Sequence, residues 1–361
     1  MFNFSDKKLS AKLLDGIEKM ELNIKIMHVC GGHQETLVMS GLDGELKKRG
    51  IDVRQGPGCP VCVTPAKEIE SAIYLAENGI TISVFGDMIR VPGKEKNLMD
   101  LKTEGKNIQT VYSIDDAIDY SVKHPEEQVV FMGIGFETTA PSTASAVSRG
   151  LPKNMSVLST HRYVPPALEA IVNLGELRLS GFIEPGHVCA IIGTKPLDFL
   201  SRDYGIPHVV SGFEPMDLLV SINMLAEMIK HGEAELKNEY TRVVKRDGNR
   251  KAIELMNDVF QPVDSEWRGF GIIKNSGMKF KEKYSDIDAE IVHEDILKDI
   301  KNLNIPDPPG CKCSEVLRGI FDPEDCPLFG KLCKPLHPVG PCMVTAEGGC
   351  HIAYKYGRMR R

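Results

Sequence analysis

Residues 64–85, Thr-Pro-Ala-Lys-Glu-Ile-Glu-Ser-Ala-Ile-Tyr-Leu-Ala-Glu-Asn-Gly-Ile-Thr-Ile-Ser-Val-Phe, predict a helix followed directly by a strand. Thr64 can cap a helix over Ala66–Asn78, with Pro65 at its first position and Gly79 at its end. The apolar, β-branched run after the glycine has the length of a buried strand. Helix and strand alternating in this way predict a parallel sheet covered by helices.

The same alternation extends in both directions, to about residue 230. Strands are predicted at Ile24–Val29, Ile80–Phe85, Val129–Met132, Val157–Ser159, Val188–Ile192 and Val209–Val210. Further helices are predicted at Pro141–Ser148, Pro166–Leu174 and Pro215–Lys230. The break at residues 124–127 suggests one lobe over residues 1–124 and a second over 125–240. We therefore expect an α/β fold of two lobes with parallel sheets covered by helices, followed by a small cysteine-rich domain over residues 241–361.

Composition narrows the possible functions. The 361 residues carry 44 basic and 50 acidic side chains, which argues against a general nucleic-acid binder. No apolar run approaches the roughly 20 residues that span a bilayer, and the N-terminus lacks the order of a signal peptide. We expect a cytoplasmic protein with no membrane partner. Its ten cysteines would then serve metal or redox chemistry and not a disulfide framework.

A cysteine series marks the C-terminal segment. Cys311, Cys326, Cys333 and Cys350 are spaced C-x14-C-x6-C-x16-C. Four thiolates suit a [4Fe–4S] cluster or a structural zinc ion. Zinc sites usually have paired knuckles, which are missing, whereas the proline directly after Cys326 favours the cluster. Cys313 and Cys342 are interpreted as spare thiols, and the segment is expected to need its metal to fold.

A second thiol group lies near the N-terminus, where Cys59 and Cys62 stand two residues apart within residues 56–65. Because the pair precedes a predicted helix, the positive helix end should lower the thiol pKa. Glycines and prolines on both sides predict an exposed loop. The pair could form a disulfide or bind one metal ion; the alternatives are half of a zinc site or two inert buried cysteines.

Cys30-Gly31-Gly32-His33 follows a predicted strand. This motif could bind a soft metal with His33 as ligand or proton donor, could form a nucleophile pair, or could be a simple turn. Residues 133–141 could hold an anion at a helix start or form a tight turn capped by Thr139. His161 and His187 are each interpreted as structural, and Cys189 as core. In parallel sheets, functional side chains lie beyond the carboxyl ends of the strands. We therefore expect the polar residues that follow the predicted strands to lie at one edge, in a cleft between the lobes.

In combination, these segments resemble the HypD family of hydrogenase maturation factors. The matching stretches are Cys30–His33, Gly56–Pro65, Gly135–Pro141, Glu184–Gly193, Gly212–Leu218, Cys311–Gly319, Cys326–Cys333 and Gly340–Cys350. They follow the family order over nearly the whole chain. One departure is Glu35, where many members carry a second histidine.

The resemblance implies two α/β lobes and a third domain around a [4Fe–4S] cluster. It also implies a scaffold that builds the Fe(CN)2CO unit of nickel–iron hydrogenases with the chaperone HypC. Mononuclear iron carrying CN and CO would be held between a HypC cysteine and Cys30. HypE would deliver cyanide as a thiocyanate, and the finished unit would reach the hydrogenase large subunit through HypC.

Within this resemblance, Cys59 and Cys62 are interpreted as a two-electron store and as possible iron ligands. The cluster at Cys311, Cys326, Cys333 and Cys350 would recharge them, and His33 would donate a proton or support the ligands. Two other functions use the same residues. An iron–sulfur protein-disulfide reductase needs no mononuclear iron, and a zinc interaction module needs no redox chemistry.

Overall fold

The computed structural model describes residues 7–300, 303 and 305–357. Two parallel sheets form its centre. The first contains β1 (Ile24–His28), β2 (Ile51–Gln55), β7 (Gly181–Pro185), β8 (His208–Ser211) and β9 (Leu236–Asn238). The second contains β3 (Thr81–Phe85), β4 (Ile108–Val111), β5 (Val129–Gly135) and β6 (Met155–His161). Their orders are β2-β1-β7-β8-β9 and β4-β3-β5-β6, and all neighbouring strands run parallel.

Helices connect and cover these strands. They are α1 (Lys7–Lys19), α2 (Gly31–Ser40), α3 (Leu42–Lys48), α4 (Pro60–Val63), α5 (Ala66–Glu77), α6 (Leu98–Thr103), α7 (Ile114–Lys123), α8 (Ala140–Arg149), α9 (Val164–Leu174), α10 (Gly186–Ile192), α11 (Phe199–Tyr204), α12 (Pro215–His231), α13 (Arg250–Val259), α14 (Ala289–Val292), α15 (Glu294–Leu297), α16 (Cys313–Leu317) and α17 (Gly349–Tyr356). Short 3-10 turns lie at Gly86–Met88, Lys195–Leu197, Glu282–Ile287, Pro323–Asp325 and Pro341–Met343. The predicted α/β fold with helix-covered parallel sheets is confirmed.

An antiparallel hairpin, β10 (Phe260–Trp267) and β11 (Gly271–Phe280), packs beside strand β6 of the second sheet. Its register shifts between Val263 and Ser265, as at a β-bulge. Trp267 is fully buried and stacks on Phe136 at a ring-centroid distance of 5.7 Å, which fixes the hairpin to the turn after β5.

One buried apolar cluster joins the two sheets to the C-terminal segment. It contains residues of β1, β3 and β5 together with Cys59, Cys62, Trp267 and Cys342. Two smaller clusters lie on the outer sides of the sheets, one under α1 and α12 and the other under α7, α8 and α13. Because the central cluster is shared, both thiol-bearing segments pack into the same core.

The predicted lobe boundary at residue 124 does not separate the sheets. Strands β3 and β4, which precede it, pair with β5 and β6, which follow it. The chain then returns to the first sheet, where β7 pairs with β1. Strand β1 is apolar and buried at Ile26 and Met27, so it is completed by a strand on each side, and one of these comes from much later in the chain.

Three local predictions need correction. Val188–Ile192 lies in α10 and not in a strand; a short apolar run has no periodicity to separate the two, and the actual strand is β7 just before it. Thr64 does not cap α5, since its hydroxyl donates to Pro60 O at 2.8 Å and the helix starts one residue later. Strands β2 and β4 were not predicted, because charged or polar residues interrupt their sequences.

Among the described residues, no helix combines the length and apolar character that crossing a bilayer requires.

Candidate thiol and metal site

Cys30 lies two residues after the end of β1 and occupies the N-cap position of α2. Its thiol is half-buried, and the backbone N–H groups of Gly32 and His33 point to the sulfur. Burial raises the pKa of Cys30 to about 11, and the negative charge of Glu347 acts in the same direction. A cation bound at this sulfur would displace the proton, because thiols ligate metals as thiolates.

The two glycines after Cys30 allow close packing from two sides. A Cβ on Gly31 would lie 2.6 Å from the Cβ of Glu347, and a Cβ on Gly32 would lie 3.2 Å from the Phe213 ring. The C-terminal segment and the loop after β8 therefore both reach Cys30. Close backbone approach was expected from the sequence, but its partners could not be named.

The loop that carries Cys59 and Cys62 packs against Cys30. Gly58 touches it most closely: a Cβ there would collide with the backbone of Val29 and Cys30. Gly56 donates its N–H to His28 O at 2.7 Å, which joins the ends of β1 and β2. The two thiol-bearing motifs thus meet at the carboxyl edge of the first sheet.

Cys59 and Cys62 are joined as a disulfide, with their Cα atoms 5.3 Å apart. Cys59 is the N-cap residue of the four-residue α4, and its sulfur accepts a hydrogen bond from Cys62 N. Both side chains have zero exposed area. The expected exposed loop is therefore wrong: Val61, Val63 and the core around them cover the pair, so glycine and proline here serve tight packing.

His33 is fully buried, three residues after Cys30 in α2. Its Nε2–H donates to Gly212 O at 3.0 Å, and its ring lies 4.8 Å from that of Phe213. Phe213 also stacks on His187 at 3.7 Å. Burial lowers the pKa of His33 to about 3 and that of His28 to about 4. His33 is thus a neutral ring that holds the loop after β8 against α2.

Glu35, the departure from the family pattern, faces the C-terminal helix. Its Oε1 accepts a hydrogen bond of 2.7 Å from the Tyr356 hydroxyl. This contact ties α2 to α17 and places the C-terminal segment beside Cys30.

Six cysteines line one cavity in the C-terminal segment. They are Cys311, Cys313, Cys326, Cys333, Cys342 and Cys350. Cys313 shares hydrogen bonds with Cys311 and Cys342, and Cys342 with Cys350, so the two cysteines interpreted as spare belong to the same group. Sequence spacing missed them because it was used to select four ligands.

The cavity walls suit a sulfur-ligated metal centre. Besides the thiols they contain Leu328, Phe329, Gly340 and Met343, and no carboxylate. A Cβ on Gly340 would lie 2.7 Å from the Cys311 sulfur, so only glycine leaves the thiol its place. A donor set of thiols in an apolar pocket fits a [4Fe–4S] cluster or a zinc ion equally well.

Buried Arg268 links the two thiol groups. Its backbone N–H donates to Val63 O at 2.8 Å, and Nη2 of its guanidinium donates to Thr64 O at 3.0 Å. Its Nη1 pairs with Asp307, which also accepts a hydrogen bond from Ser314 in α16. Both α16 and the turn Pro341–Met343 pack against α4. The disulfide therefore lies between Cys30 and the six-cysteine cavity. Nothing in the sequence around Arg268 marked it for this role.

A further contact comes from the second sheet. Asp87, which follows β3, accepts a hydrogen bond of 2.9 Å from Thr345 in the C-terminal segment. The carboxyl ends of β1, β2, β3, β7 and β8 thus contribute to one region, as the sheet-edge argument predicted for most of them.

The end of β6 is different. His161 and Arg162 line a separate cavity of about 420 Å³ with α5 and the hairpin, and none of the ten cysteines lines it. The expectation of a single edge is wrong for Ser159–His161. In the neighbouring turn, the Thr139 hydroxyl donates to Ile134 O at 3.0 Å, and Gly135 has a φ of 135°. Thr139 closes the turn without capping α8 through its side chain.

Comparison with known proteins relates the whole chain to hydrogenase maturation proteins. The family model described as "Hydrogenase formation hypA family", named HypD, matches residues 7–357. A putative hydrogenase expression/formation protein of Methanocaldococcus jannaschii is 46% identical over 99% of this chain and 100% of its own. The hydrogenase maturation factor HypD2 of Bradyrhizobium diazoefficiens is 40% identical over 99% and 96%, and HypD of Rhodobacter capsulatus 40% over 99% and 98%.

Fold and site together define an α/β protein with two neighbouring groups of cysteines. With the family match over nearly its full length, the chain belongs to the HypD family of hydrogenase maturation factors.

The close approach at Gly58 generates a first prediction. Gly58→Ala should force the dithiol loop away from Cys30, so alkylation of Cys30 by iodoacetamide should become several-fold faster and the melting temperature should fall. Gly44→Ala is the matched control, since a Cβ there meets nothing within 4 Å. Site-resolved mass spectrometry would measure the rate. Equal Cys30 rates in both variants would show that the loop does not cover the thiol.

Buried His161 generates a second prediction. Burial lowers its pKa from 6.5 to about 4, so the unfolded chain takes up a proton at a pH where the folded chain does not. Its contribution to stability is complete above the unfolded pKa and is lost as the pH falls. At about pH 5.5 the loss should be about 1 kcal/mol.

Urea unfolding at about pH 7.5 and about pH 5.5 would test this. His161→Asn should weaken the pH dependence of the unfolding free energy by that amount, and the exposed-site variant His231→Asn should leave it unchanged. An unaltered pH dependence in His161→Asn would contradict the prediction.

Proposed function

We propose that this chain is the scaffold on which the Fe(CN)2CO unit of a nickel–iron hydrogenase is assembled, with iron bound at Cys30. The contact between Cys30 and the loop of Cys59 and Cys62 carries the proposal. It brings a half-buried thiol suited to iron and a redox-competent pair into one place. HypC and HypE are the proposed partners, and the hydrogenase large subunit would receive the product through HypC.

Iron would be cargo in this scheme and not a permanent cofactor. Thiolate is the appropriate ligand for low-spin iron that carries cyanide and carbon monoxide. Cys30 is partly open, whereas the disulfide behind it is closed to solvent. A cysteine of HypC would approach from the open side, near Glu347, and complete the grip on the metal. The reduced sulfurs of Cys59 and Cys62 could add ligands from the protein side.

Delivery of cyanide from a HypE thiocyanate needs two electrons. Reduced Cys59 and Cys62 supply them by closing to the disulfide, with release of two protons. The S–CN bond breaks, one proton restores the donor thiol, and the other leaves as cyanide binds iron. His33, neutral and hydrogen-bonded to Gly212 O, would hold the neighbouring loop in place during this step.

The disulfide must then be reduced again. Cys311, Cys326, Cys333 and Cys350 would hold a [4Fe–4S] cluster, which supplies electrons singly when bound. Cys313 and Cys342 share a hydrogen bond, and each lies in a segment that packs against α4. This packing supports an exchange between the second thiol pair and the Cys59–Cys62 disulfide.

The burial of the disulfide bears on the alternative of a free protein-disulfide reductase. Such an enzyme must present a thiol to a macromolecular disulfide, but Cys59 and Cys62 have no exposed area. A zinc module would use the same cavity, and anaerobic protein would then be colourless with bound zinc.

Loss of the proposed iron ligand gives a direct test. Cys30→Ala should reduce mononuclear iron in the anaerobic HypC complex to background, while the visible absorption of the cluster persists. Cys189→Ala is the control, because Cys189 is buried in α10 and has no proposed role. Metal analysis with Mössbauer spectroscopy would make the measurement. Normal iron retention by Cys30→Ala would refute the ligand role.

The dithiol is tested separately. The double variant C59S/C62S should lose the infrared cyanide bands of the complex, since no two-electron reductant remains beside the iron. Circular dichroism and the melting temperature would establish that the variant folds, and Cys189→Ser is the matched substitution. Cyanide bands of normal intensity in the folded double variant would exclude the redox role.

A further inference from the structure

An exposed apolar and basic surface lies in the loop that contains Cys333, one of the thiols that line the six-cysteine cavity. It consists of Lys331, Leu332, Lys334, Leu336 and His337, and we refer to it as the Leu332 patch. Leu332 is 71% exposed and Leu336 is 80% exposed, and Cys333 lies between them in the sequence. Exposed apolar side chains surrounded by polar residues are typical of protein-binding surfaces.

The loop that presents the patch is well built. Cys333 N donates to Leu328 O at 2.9 Å, and Gly330 N donates to Cys333 O at 3.0 Å. Lys334 and His337 exchange two backbone hydrogen bonds, of 3.2 and 2.9 Å. Val339 N donates to the Cys333 sulfur at 3.3 Å. The leucines are thus held outward by an ordered backbone, although burying apolar side chains is favourable.

Charge indicates the kind of partner. Residues 328–340, Leu-Phe-Gly-Lys-Leu-Cys-Lys-Pro-Leu-His-Pro-Val-Gly, contain two lysines and one histidine and no carboxylate, although the whole chain has a net charge of −6. A basic rim around apolar side chains complements an acidic protein surface and speeds its encounter. The small patch suits a transient complex, as is common among electron-transfer proteins.

We infer that the Leu332 patch is the docking surface for an acidic one-electron carrier protein of the ferredoxin class. The inference rests on the proposed [4Fe–4S] cluster, for which Cys333 is one ligand. A carrier bound at Leu332 and Leu336 would contact the residue next to Cys333 in the sequence. Each encounter would oxidise the carrier by one electron and reduce the cluster by one electron, without bond or proton transfer.

Anaerobic stopped-flow reduction with an acidic [2Fe–2S] ferredoxin would test this. The variants K331E/K334E and L332S/L336S should each be reduced at least about tenfold more slowly than the unaltered chain at low salt. Reduction by dithionite, which needs no docking surface, should keep its rate. Titration calorimetry with oxidised ferredoxin should show the same weakening as a binding effect.

Matched controls are available on the surface. K251E/K274E makes the same change of net charge at two exposed lysines, and V243S/I272S removes two exposed apolar side chains, 46% and 73% exposed. Both should retain the ferredoxin rate. Patch variants that bleach normally with dithionite and keep the full ferredoxin rate and affinity would overturn the docking surface alone. A colourless chain that dithionite does not bleach would overturn the cluster, and with it this inference.

Discussion

The backbone contact between Gly58 and Cys30 is the constraint on which the site depends. No Cβ fits between the two segments, so the ends of β1 and β2 approach as closely as two chains can. The parallel pairing of these strands supplies the alignment, and Gly56 extends it by one more hydrogen bond to His28. A half-buried thiol and a buried disulfide become neighbours because of ordinary sheet geometry and one missing side chain.

The second link, from the disulfide to the C-terminal cysteines, depends on a buried charge. Arg268 is 6% exposed, and two of its guanidinium nitrogens donate, Nη2 to the backbone carbonyl of Thr64 after α4 and Nη1 to Asp307. Burying an ion pair gains little net stability, but removing one partner typically costs about 3–5 kcal/mol. The ion pair therefore fixes the relative position of α4 and α16 more than it adds stability. A purely apolar contact would position the two helices less specifically.

Sequence patterns determined the elements better than their assembly. The helix over Ala66–Asn78 and the strand over Ile80–Phe85 follow from local signals, namely proline, glycine and apolar length, and both are present nearly as predicted. Residues 188–192 show the limit of that approach, because five apolar residues fit a buried helix as well as a strand. The pairing of β7 with β1 depends on tertiary contacts, and no local sequence signal predicts it. Because of this pairing, the two sheets are not separated at residue 124 of the sequence.

The candidate site shows the same division between chemistry and placement. Residue type and spacing identified Cys30, the Cys59–Cys62 pair and the C-terminal cysteines. The burial of Cys59 and Cys62 does not follow from the sequence. The glycines and prolines around Cys59 predict an exposed loop, but in the structure they allow the loop to enter the core. Spacing alone selects four ligands from the C-terminal cysteines, whereas Cys313 and Cys342 line the same cavity as those four. Arg268 depends on partners more than 200 residues away in the sequence, Val63 and Thr64, which only the folded chain brings to it.

The uneven exposure of the sulfurs bears on how such a site can work. All ten cysteines lie in the described part of the chain, and among them Cys30 and Cys311 alone are not classed as buried. A thiolate reacts with what can reach it, so a buried pair behind a half-buried thiol is shielded from bulk oxidants and disulfides. Reaction at the Cys59–Cys62 pair therefore requires local opening of the structure that covers it. Such shielding is unfavourable for a general thiol reductant, which must present a thiol to its disulfide substrate.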